Sequence, residues 1–349
     1  MENPLADERF LPTKEQRKEL LFAFDVAKFD FRSLLLEMFR LPEARLAEDA
    51  LDIFDDGGHG ESDTGNGSNV VVCGGNDYAC DASLLLANLH RTNAACAKSA
   101  EEWRGNKTPF HAAYARVMRS CTAKDIQAHA LKQRFDACLR SFVREVVAPL
   151  IGCAADEVAY QRSPTLRVSL PCSVPLGHAH IDYEYHHPPS EVNFWIPLTR
   201  VFGSNSLFAE TEPGAGDFHP FEGSWGQCFR FWGNQVRHYC VANDSGATRV
   251  SLDFRAIALP RFDPDFRDSR GRRPDFRLGQ YYALSSEGGV HDTCAEVPIP
   301  CPYDMKSSVI KENTLYGQAR DTYNPDGGNE DDSALLAVAS MWGAEDEDE

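Results

Sequence analysis

Short apolar runs separated by turn residues, from Gly152 onward, are the feature that most limits the folds open to this chain. The runs are rich in Val, Ile, Phe and Trp, and clusters of Gly, Pro, Asn and Ser lie between them. Runs of this length and spacing indicate the strands of an antiparallel sandwich or barrel. The predicted strands are 157–161, 166–170, 191–198, 206–210, 228–232, 236–241 and 248–257.

Helical patterns come before these strands. The clearest covers 124–149, where apolar side chains recur at steps of three or four residues and form one stripe. Helical patterns are also predicted over 14–40 and 81–103. Helices followed by a run of strands give an α+β order, with the helices packed on a β core.

The chain divides into three predicted regions. Residues 1–152 form a helical N-terminal region, in which a loop at 55–77 is rich in Gly, Asp, Ser and Asn. Residues 153–290 form the β core. Residues 291–349 form an irregular C-terminal segment with an acidic tail, EDEDE. Segments of such polar composition are typical of loops and tails.

Composition excludes several classes of protein. Acidic residues number 53 against 35 basic ones, for a net charge of −18, so nucleic acid and anionic membranes are not expected partners. No apolar run approaches the roughly 20 residues of a membrane helix. The N-terminus lacks the apolar segment of a signal peptide, which predicts a cytoplasmic protein. The 11 cysteines form no CxxC pair, which argues against zinc-finger spacing. No oligomeric state is predicted.

Histidines and carboxylates crowd the segment from Pro175 to Leu198. His180 and Asp182 are two residues apart, so on a strand or its frayed end they share one face. A third ligand must come from elsewhere, and His238 lies on a predicted strand. Two histidines and one carboxylate on one side of a metal suit Fe(II) and leave positions open. Alone, the HxD pair could equally be a surface pair.

Two further expectations concern the neighbouring polar residues. His178, His186 and His187 are expected to be solvated loop residues. Arg249 and Ser251 follow a turn signal at 243–246 and share one face of a predicted strand, while Val250, Leu252 and Phe254 share the other. A guanidinium beside a hydroxyl suits a carboxylate. The alternative is a structural ion pair of Arg249 with Asp253 or with an acidic loop.

Together, His180-x-Asp182, His238 and Arg249-x-Ser251 resemble the signature of the Fe(II)/2-oxoglutarate-dependent oxygenases. The segments EVNFWIPLT, FWGNQVRHY and NDSGATRVSLDFRAI resemble the group around the streptomycin biosynthesis protein StrG. The resemblance extends over residues 160–260.

The resemblance implies a double-stranded β-helix, a jelly-roll or cupin-like core, with the N-terminal helices outside. It implies that His180, Asp182 and His238 hold Fe(II), and that Arg249 and Ser251 bind the cosubstrate 2-oxoglutarate. O₂ and a small-molecule substrate complete the reaction, which hydroxylates or otherwise oxidises a C–H bond of a sugar, cyclitol or amino acid derivative and releases succinate and CO₂. Asn193 is assigned to the cosubstrate side of the pocket. The candidate substrate residues are Arg167, Tyr185, Trp195, Asn205 and Glu210.

Other interpretations are open for the function and for single residues. The same fold could hydroxylate a protein side chain, or could be a non-catalytic jelly-roll binding module. Arg167 could form a strand-edge salt bridge, and Glu210 could be a solvated loop acid. Phe194 and Trp195 alternate along a strand, so one of them is expected in the core.

Overall fold

The computed structural model describes residues 7–42, 82–103, 107–120, 125–267 and 276–286. The Gly-rich loop at 55–77 and the C-terminal segment at 291–349 lie outside the described residues. The helices are α1 (Lys14–Arg17), α2 (Phe31–Phe39), α3 (Ala82–Ala87), α4 (Asn93–Cys96), α5 (Pro109–Met118), α6 (Ile126–Phe142) and α7 (Ala148–Leu150). No helix among these residues is long and apolar enough to cross a bilayer.

The long helix predicted over 124–149 is present as α6, which a π-helical turn at Val143–Val147 joins to α7. Asp125 begins α6, because its side chain accepts a hydrogen bond from the amide of Ala128. Its buried stripe is Leu131, Phe135, Leu139 and Phe142. This stripe packs in the main apolar core, where Phe142 meets Phe254 of the sheet at a ring distance of 6.3 Å.

The helix predicted over 14–40 is wrong in its middle. A capping box between Thr13 and Gln16 starts the short α1, and Asp30 caps the start of α2. Between them, Leu20–Ala23 is a strand, β1, whose side chains alternate between half-buried and exposed. Pairing with a sheet edge supplies its backbone with hydrogen bonds, so tertiary context overrides the local helical pattern. The pattern over 81–103 is likewise broken, because Thr92 caps a new helix, α4.

The strands form two antiparallel sheets. They are β1 (Leu20–Ala23), β2 (Val158–Gln161), β3 (Thr165–Ser169), β4 (Val192–Pro197), β5 (Phe208–Ala209), β6 (His219–Pro220), β7 (Gln227–Phe231), β8 (His238–Tyr239), β9 (Arg249–Ala258) and β10 (Tyr282–Leu284). The major sheet has the order β1-β7-β4-β9-β2-β10, and β3 also pairs with β9. The minor sheet has the order β6-β5-β8. All seven predicted strands are present; β1, β6 and β10 were not predicted as strands.

Strand β9 separates the apolar core from a polar face. Its even-numbered residues Val250, Leu252, Phe254 and Ala256 belong to the core that the helices cover. Its odd-numbered residues Arg249, Ser251, Asp253 and Arg255 therefore point to the other side of the major sheet. On β4, Asn193 lies opposite Arg255, and Trp195 lies opposite Asp253.

A second apolar cluster joins the two sheets. It contains Trp195, Phe229 and Phe231 from the major sheet, with Ala209 and Phe221 from the minor sheet or beside it. Phe221 stacks on Phe229 at 4.5 Å between ring centres. The polar face of β9 is thus on the side of the major sheet that looks toward the minor sheet, which carries His238.

Candidate metal centre

Backbone pairing brings the two histidines together. His180 and His238 form an isolated antiparallel bridge, with the amide of each donating to the carbonyl of the other at 3.1 and 2.9 Å. Their rings lie 4.4 Å apart. Asp182 begins a 3₁₀ turn (Asp182–Tyr185) just past this bridge, and its amide donates to the carbonyl of Gly233 at 2.9 Å. The HxD pair therefore lies at the end of extended structure.

Three ligand atoms converge at this point. Oδ1 of Asp182 lies 3.8 Å from Nε2 of His180 and 3.7 Å from Nε2 of His238. All three atoms lie within 4.8 Å of one another, and they form a group that could hold a metal ion. The structure thus brings together the three predicted metal ligands, which are separated by up to 58 residues in the chain.

Both imidazoles are oriented for metal binding by backbone carbonyls. Nδ1 of His180 lies 2.8 Å from the carbonyl oxygen of His178, and Nδ1 of His238 lies 2.9 Å from that of Val236. A carbonyl accepts, so each Nδ1 carries the proton and each Nε2 presents a lone pair to the cluster. Burial, together with the neighbouring His238, lowers the pKa of His180 to about 3, so its ring is neutral at physiological pH.

The carboxylate of Asp182 is fully buried yet ionised. Burial by itself raises its pKa, but the Arg255 guanidinium and the surrounding imidazoles outweigh that effect and hold the pKa well below its usual range. Arg255 lies on the polar face of β9, with Nε and Nη2 at 3.0 and 2.9 Å from Oδ2 of Asp182. The anionic form of Asp182 is the form that binds a metal.

A buried polar network lies behind Asp182. Glu191 is fully buried, with Oε2 3.7 Å from Nε of Arg255 and 2.8 Å from Nδ1 of His187. The hydroxyl of Tyr282, on β10, donates to Oε1 of Glu191. The expectation of a solvated loop residue is therefore wrong for His187, which is buried against this carboxylate.

Arg249 lies in a separate part of the same face. Its side chain is only 2% exposed. Nη1 donates to the carbonyl of Asn205 at 3.0 Å, and both terminal nitrogens lie 3.5 Å from Sγ of Cys240. Among the residues that the structure describes, it forms no ion pair with a carboxylate, Asp253 included. The neighbouring hydroxyl of Ser251 is buried and has no hydrogen-bond partner in the part of the chain that the structure describes.

Asn193 is hydrogen-bonded to Asp182 of the candidate metal cluster. Its Nδ2 donates to Oδ2 of Asp182 at 2.8 Å, and its Oδ1 accepts from the amide of Gly233 at 3.1 Å. A Cβ at Gly233 would lie 2.8 Å from this amide group, so the close approach requires glycine. The structure therefore places Asn193 behind Asp182 with both ends of its amide engaged, rather than open to a cosubstrate.

Three of the candidate substrate residues lie near the cluster or on its face. The ring of Tyr185 meets His180 edge-on at 4.9 Å. Nη2 of Arg167, on β3, lies 3.6 Å from Oδ2 of Asp253, and both side chains are partly exposed. Trp195 is buried in the apolar cluster between the sheets, 5.8 Å from the Arg249 guanidinium.

The other two candidates hold loops in place. The side chain of Asn205 accepts from the amide of Phe202 and donates to the hydroxyl of Ser245. The carboxylate of Glu210 accepts from the amides of Gly214, Gly216 and Arg237. Glu210 is buried, so the interpretation of a solvated loop acid is also wrong.

Sequence reasoning missed Arg255 and its partners. A signal was present, because Arg255 shares the odd-numbered face of β9 with Arg249 and Ser251. Glu191 and Tyr282 had no such signal, since the contact between them joins residues 91 positions apart.

Comparison with known proteins gives one clear relative. No family model matches the chain. The streptomycin biosynthesis protein StrG from Streptomyces griseus is 40% identical over 139 residues, which cover 40% of this chain and 66% of StrG, just under two thirds of its length.

Similarity to solved structures is weak. A non-heme monooxygenase, the ThoJ–nickel complex, is 16% identical over 42% of this chain and 66% of its own, with a TM-score of 0.31. Apo ThoJ is 13% identical over 51% of this chain and 78% of its own, with a TM-score of 0.33. A dioxygenase for auxin oxidation in rice is 14% identical over 46% of this chain and 56% of its own, with a TM-score of 0.26. Scores this low support no inference about the fold.

Proposed function

We propose that this protein is an Fe(II)- and 2-oxoglutarate-dependent oxygenase that oxidises a C–H bond of a small polar molecule. The donor set fits iron: two imidazoles and one carboxylate leave the remaining coordination positions of the metal open. His180, Asp182 and His238 would hold the ion. When bound with 2-oxoglutarate and O₂, the iron supplies the oxidant that attacks the C–H bond.

The 2-oxoglutarate part of the proposal rests on the buried Arg249, which has no carboxylate partner among the residues described. Burying a guanidinium without an anion is costly, so such a site favours an anionic ligand. Arg249 contacts Cys240, which follows the metal ligand His238 by two residues. Two residues of extended chain span about 6.5 Å. One end of a short dicarboxylate can therefore reach the metal while the other reaches Arg249.

The surrounding residues would orient this cosubstrate and keep water out. Ser251 presents a buried hydroxyl beside Arg249, ready to donate to a carboxylate. Trp195 packs against the guanidinium and closes one side of the pocket. Low polarity around the anchor strengthens its attraction for an anion.

We also propose that the two sheets form a double-stranded β-helix. Their joint apolar cluster and the His180–His238 bridge support this arrangement. The metal ligands then lie between the sheets, with the helices outside on the far face of the major sheet.

A small polar substrate is supported by two observations. The similar protein StrG is named for a role in the biosynthesis of streptomycin, a small molecule. Arg167 and Asp253 add a partly exposed charged pair to the polar face, which suits a substrate rich in hydrogen-bonding groups.

The test is anaerobic reconstitution with Fe(II), followed by measurement of succinate release across sugars, cyclitols and amino acids. Wild-type protein should bind one Fe(II) per chain, and His238→Ala should not. His219→Ala is the matched control. His219 lies in the minor sheet, pairs with Glu19 at 2.6 Å, and is not one of the three clustered residues His180, Asp182 and His238. Equal iron binding by wild type and His238→Ala, or succinate formation independent of Fe(II), would contradict the proposal.

A further inference from the structure

The two carboxylate oxygens of Asp182 have different surroundings. Oδ1 faces the Nε2 atoms of His180 and His238. Oδ2 is surrounded by three donors: Nδ2 of Asn193 at 2.8 Å, and Nε and Nη2 of Arg255 at 3.0 and 2.9 Å. Only Oδ1 is directed at the point where the ligand atoms converge.

The approach of Arg255 is what makes the oxygens unequal. An arginine commonly binds a carboxylate with two parallel hydrogen bonds, one to each oxygen. Here both nitrogens converge on Oδ2 of Asp182. Asn193 adds a third donor to the same oxygen. The carboxylate is thereby turned so that Oδ1 accepts no hydrogen bond among the described residues.

Arg255 is itself held from other elements. Its Nη1 lies 3.3 Å from Oε1 of Gln161 and 3.5 Å from the hydroxyl of Tyr281. Glu191 approaches its Nε at 3.7 Å. These contacts hold the guanidinium beside Oδ2 of Asp182, and they come from β2, from the residue before β4 and from the residue before β10.

We propose that Arg255 and Asn193 are positioning residues that make Asp182 a one-oxygen metal ligand. This inference rests on the proposed metal-dependent function. A carboxylate free to rotate can bind a metal through both oxygens, which occupies a second coordination position. With Oδ2 engaged, that position is kept for the cosubstrate or O₂.

A purely structural role for Arg255 is the competing explanation, because any buried arginine with several partners stabilises the fold. Arg230 provides the matched control. It is also buried, and its terminal nitrogens donate to the backbone carbonyls of Leu150, Glu15 and Lys18. It contacts no metal ligand, so Arg230→Gln should lower stability without changing metal affinity.

The experiment titrates Co(II) into wild type, Arg255→Gln, Arg255→Lys and Arg230→Gln, with calorimetry for the dissociation constant and visible absorption for the coordination geometry. Loss of a group that orients a metal ligand typically weakens metal binding about 10- to 100-fold. We expect this for Arg255→Gln, with a changed Co(II) spectrum because, of the donors described around Oδ2, only Nδ2 of Asn193 then remains. Arg255→Lys keeps the charge but offers one point donor, so it should fall between.

The outcomes separate the two proposals. If wild-type protein binds no Co(II) or Fe(II), the proposed function fails, and the positioning role falls with it. If wild type binds and folded Arg255→Gln keeps the wild-type constant within threefold and the same spectrum, only the positioning role is refuted. If Arg255→Gln does not fold, Arg255→Lys decides: a constant and spectrum equal to those of wild type refute the role, and weaker binding with an altered spectrum supports it.

Discussion

Replacing Arg249 with methionine should separate ligand affinity from stability. Methionine fills much of the volume of the arginine stem and removes a buried charge that has no carboxylate partner among the described residues. The free protein should lose little or no stability, because an unpaired buried charge is unfavourable. Affinity for 2-oxoglutarate should fall sharply, because its distal carboxylate would lose the buried guanidinium proposed to bind it.

The magnitude follows from the burial of the site. Arg249 is 2% exposed, so solvent does little to screen the interaction. Losing one partner of a buried, hydrogen-bonded charge pair costs about 2–5 kcal/mol. At 1.4 kcal/mol per factor of ten, this is a weakening of roughly 30- to 5000-fold. Arg249→Lys keeps the charge without the two parallel donors and should give an intermediate value.

Anaerobic titration of 2-oxoglutarate into the Fe(II)-loaded protein, followed by the metal-to-ligand absorption band, measures this loss. Thermal unfolding of the ligand-free protein measures the stability. In thermal unfolding, ligand at 100 times the wild-type dissociation constant should stabilise wild type by about 2.7 kcal/mol and Arg249→Met by less than about 0.9 kcal/mol. An Arg249→Met titration with the wild-type midpoint would show that the cosubstrate is anchored elsewhere, or that it is not 2-oxoglutarate.

Three further perturbations give distinct results. Ser251→Ala removes one hydroxyl donor to the cosubstrate carboxylate, so 2-oxoglutarate binding should weaken by about 1.5–3 kcal/mol in the same titration. Gly233→Ala places a Cβ 2.8 Å from the Asn193 amide, and denaturant unfolding should show a loss of about 1–3 kcal/mol. Burial lowers the pKa of His111 to about 3. Its imidazole therefore stays neutral in the folded protein, whereas in the unfolded protein it takes up a proton below about pH 6.5. Stability should therefore fall by about 2 kcal/mol between pH 7 and pH 5 from this residue alone, and His111→Gln should remove that part of the loss.

The parts of the fold with a strong local period were predictable from sequence. The stripe of α6 and the alternation of β9 each repeat over several turns or pairs, so the period alone identifies them. Strand β1 was not predictable in this way, because Leu20–Ala23 is short and continues an apolar stretch of helical appearance. Its hydrogen bonds come from β7, more than 200 residues away, and no local pattern carries that information.

The candidate metal cluster was predictable because its motifs place residues two positions apart, on one face of extended chain. HxD places two ligands at the end of extended structure, and the R-x-S pair marks the strand that faces them. Asn193 shows the limit of such reasoning. Alternation along β4 correctly assigns it to the polar face, but its role depends on Gly233 and Asp182, which approach its amide from two other segments. The two-residue alternation along a strand predicts the face on which a side chain lies. The group that the side chain contacts depends on tertiary structure.

Tertiary contacts also give Arg249 and Arg255 different chemical roles. By sequence they are equivalent: both are arginines on the odd-numbered face of one strand. The 3₁₀ turn that begins at Asp182 delivers a carboxylate to Arg255, and Glu191 adds a second nearby. Among the described residues, the hydrogen-bond partners of the Arg249 guanidinium are a carbonyl and a thiol. One arginine is therefore paired with a carboxylate of the candidate metal cluster, and the other has no carboxylate partner among the described residues. Oδ1 of Asp182 and the guanidinium of Arg249 lie on the same face. Together they are complementary to a cation and to a dicarboxylate that chelates it.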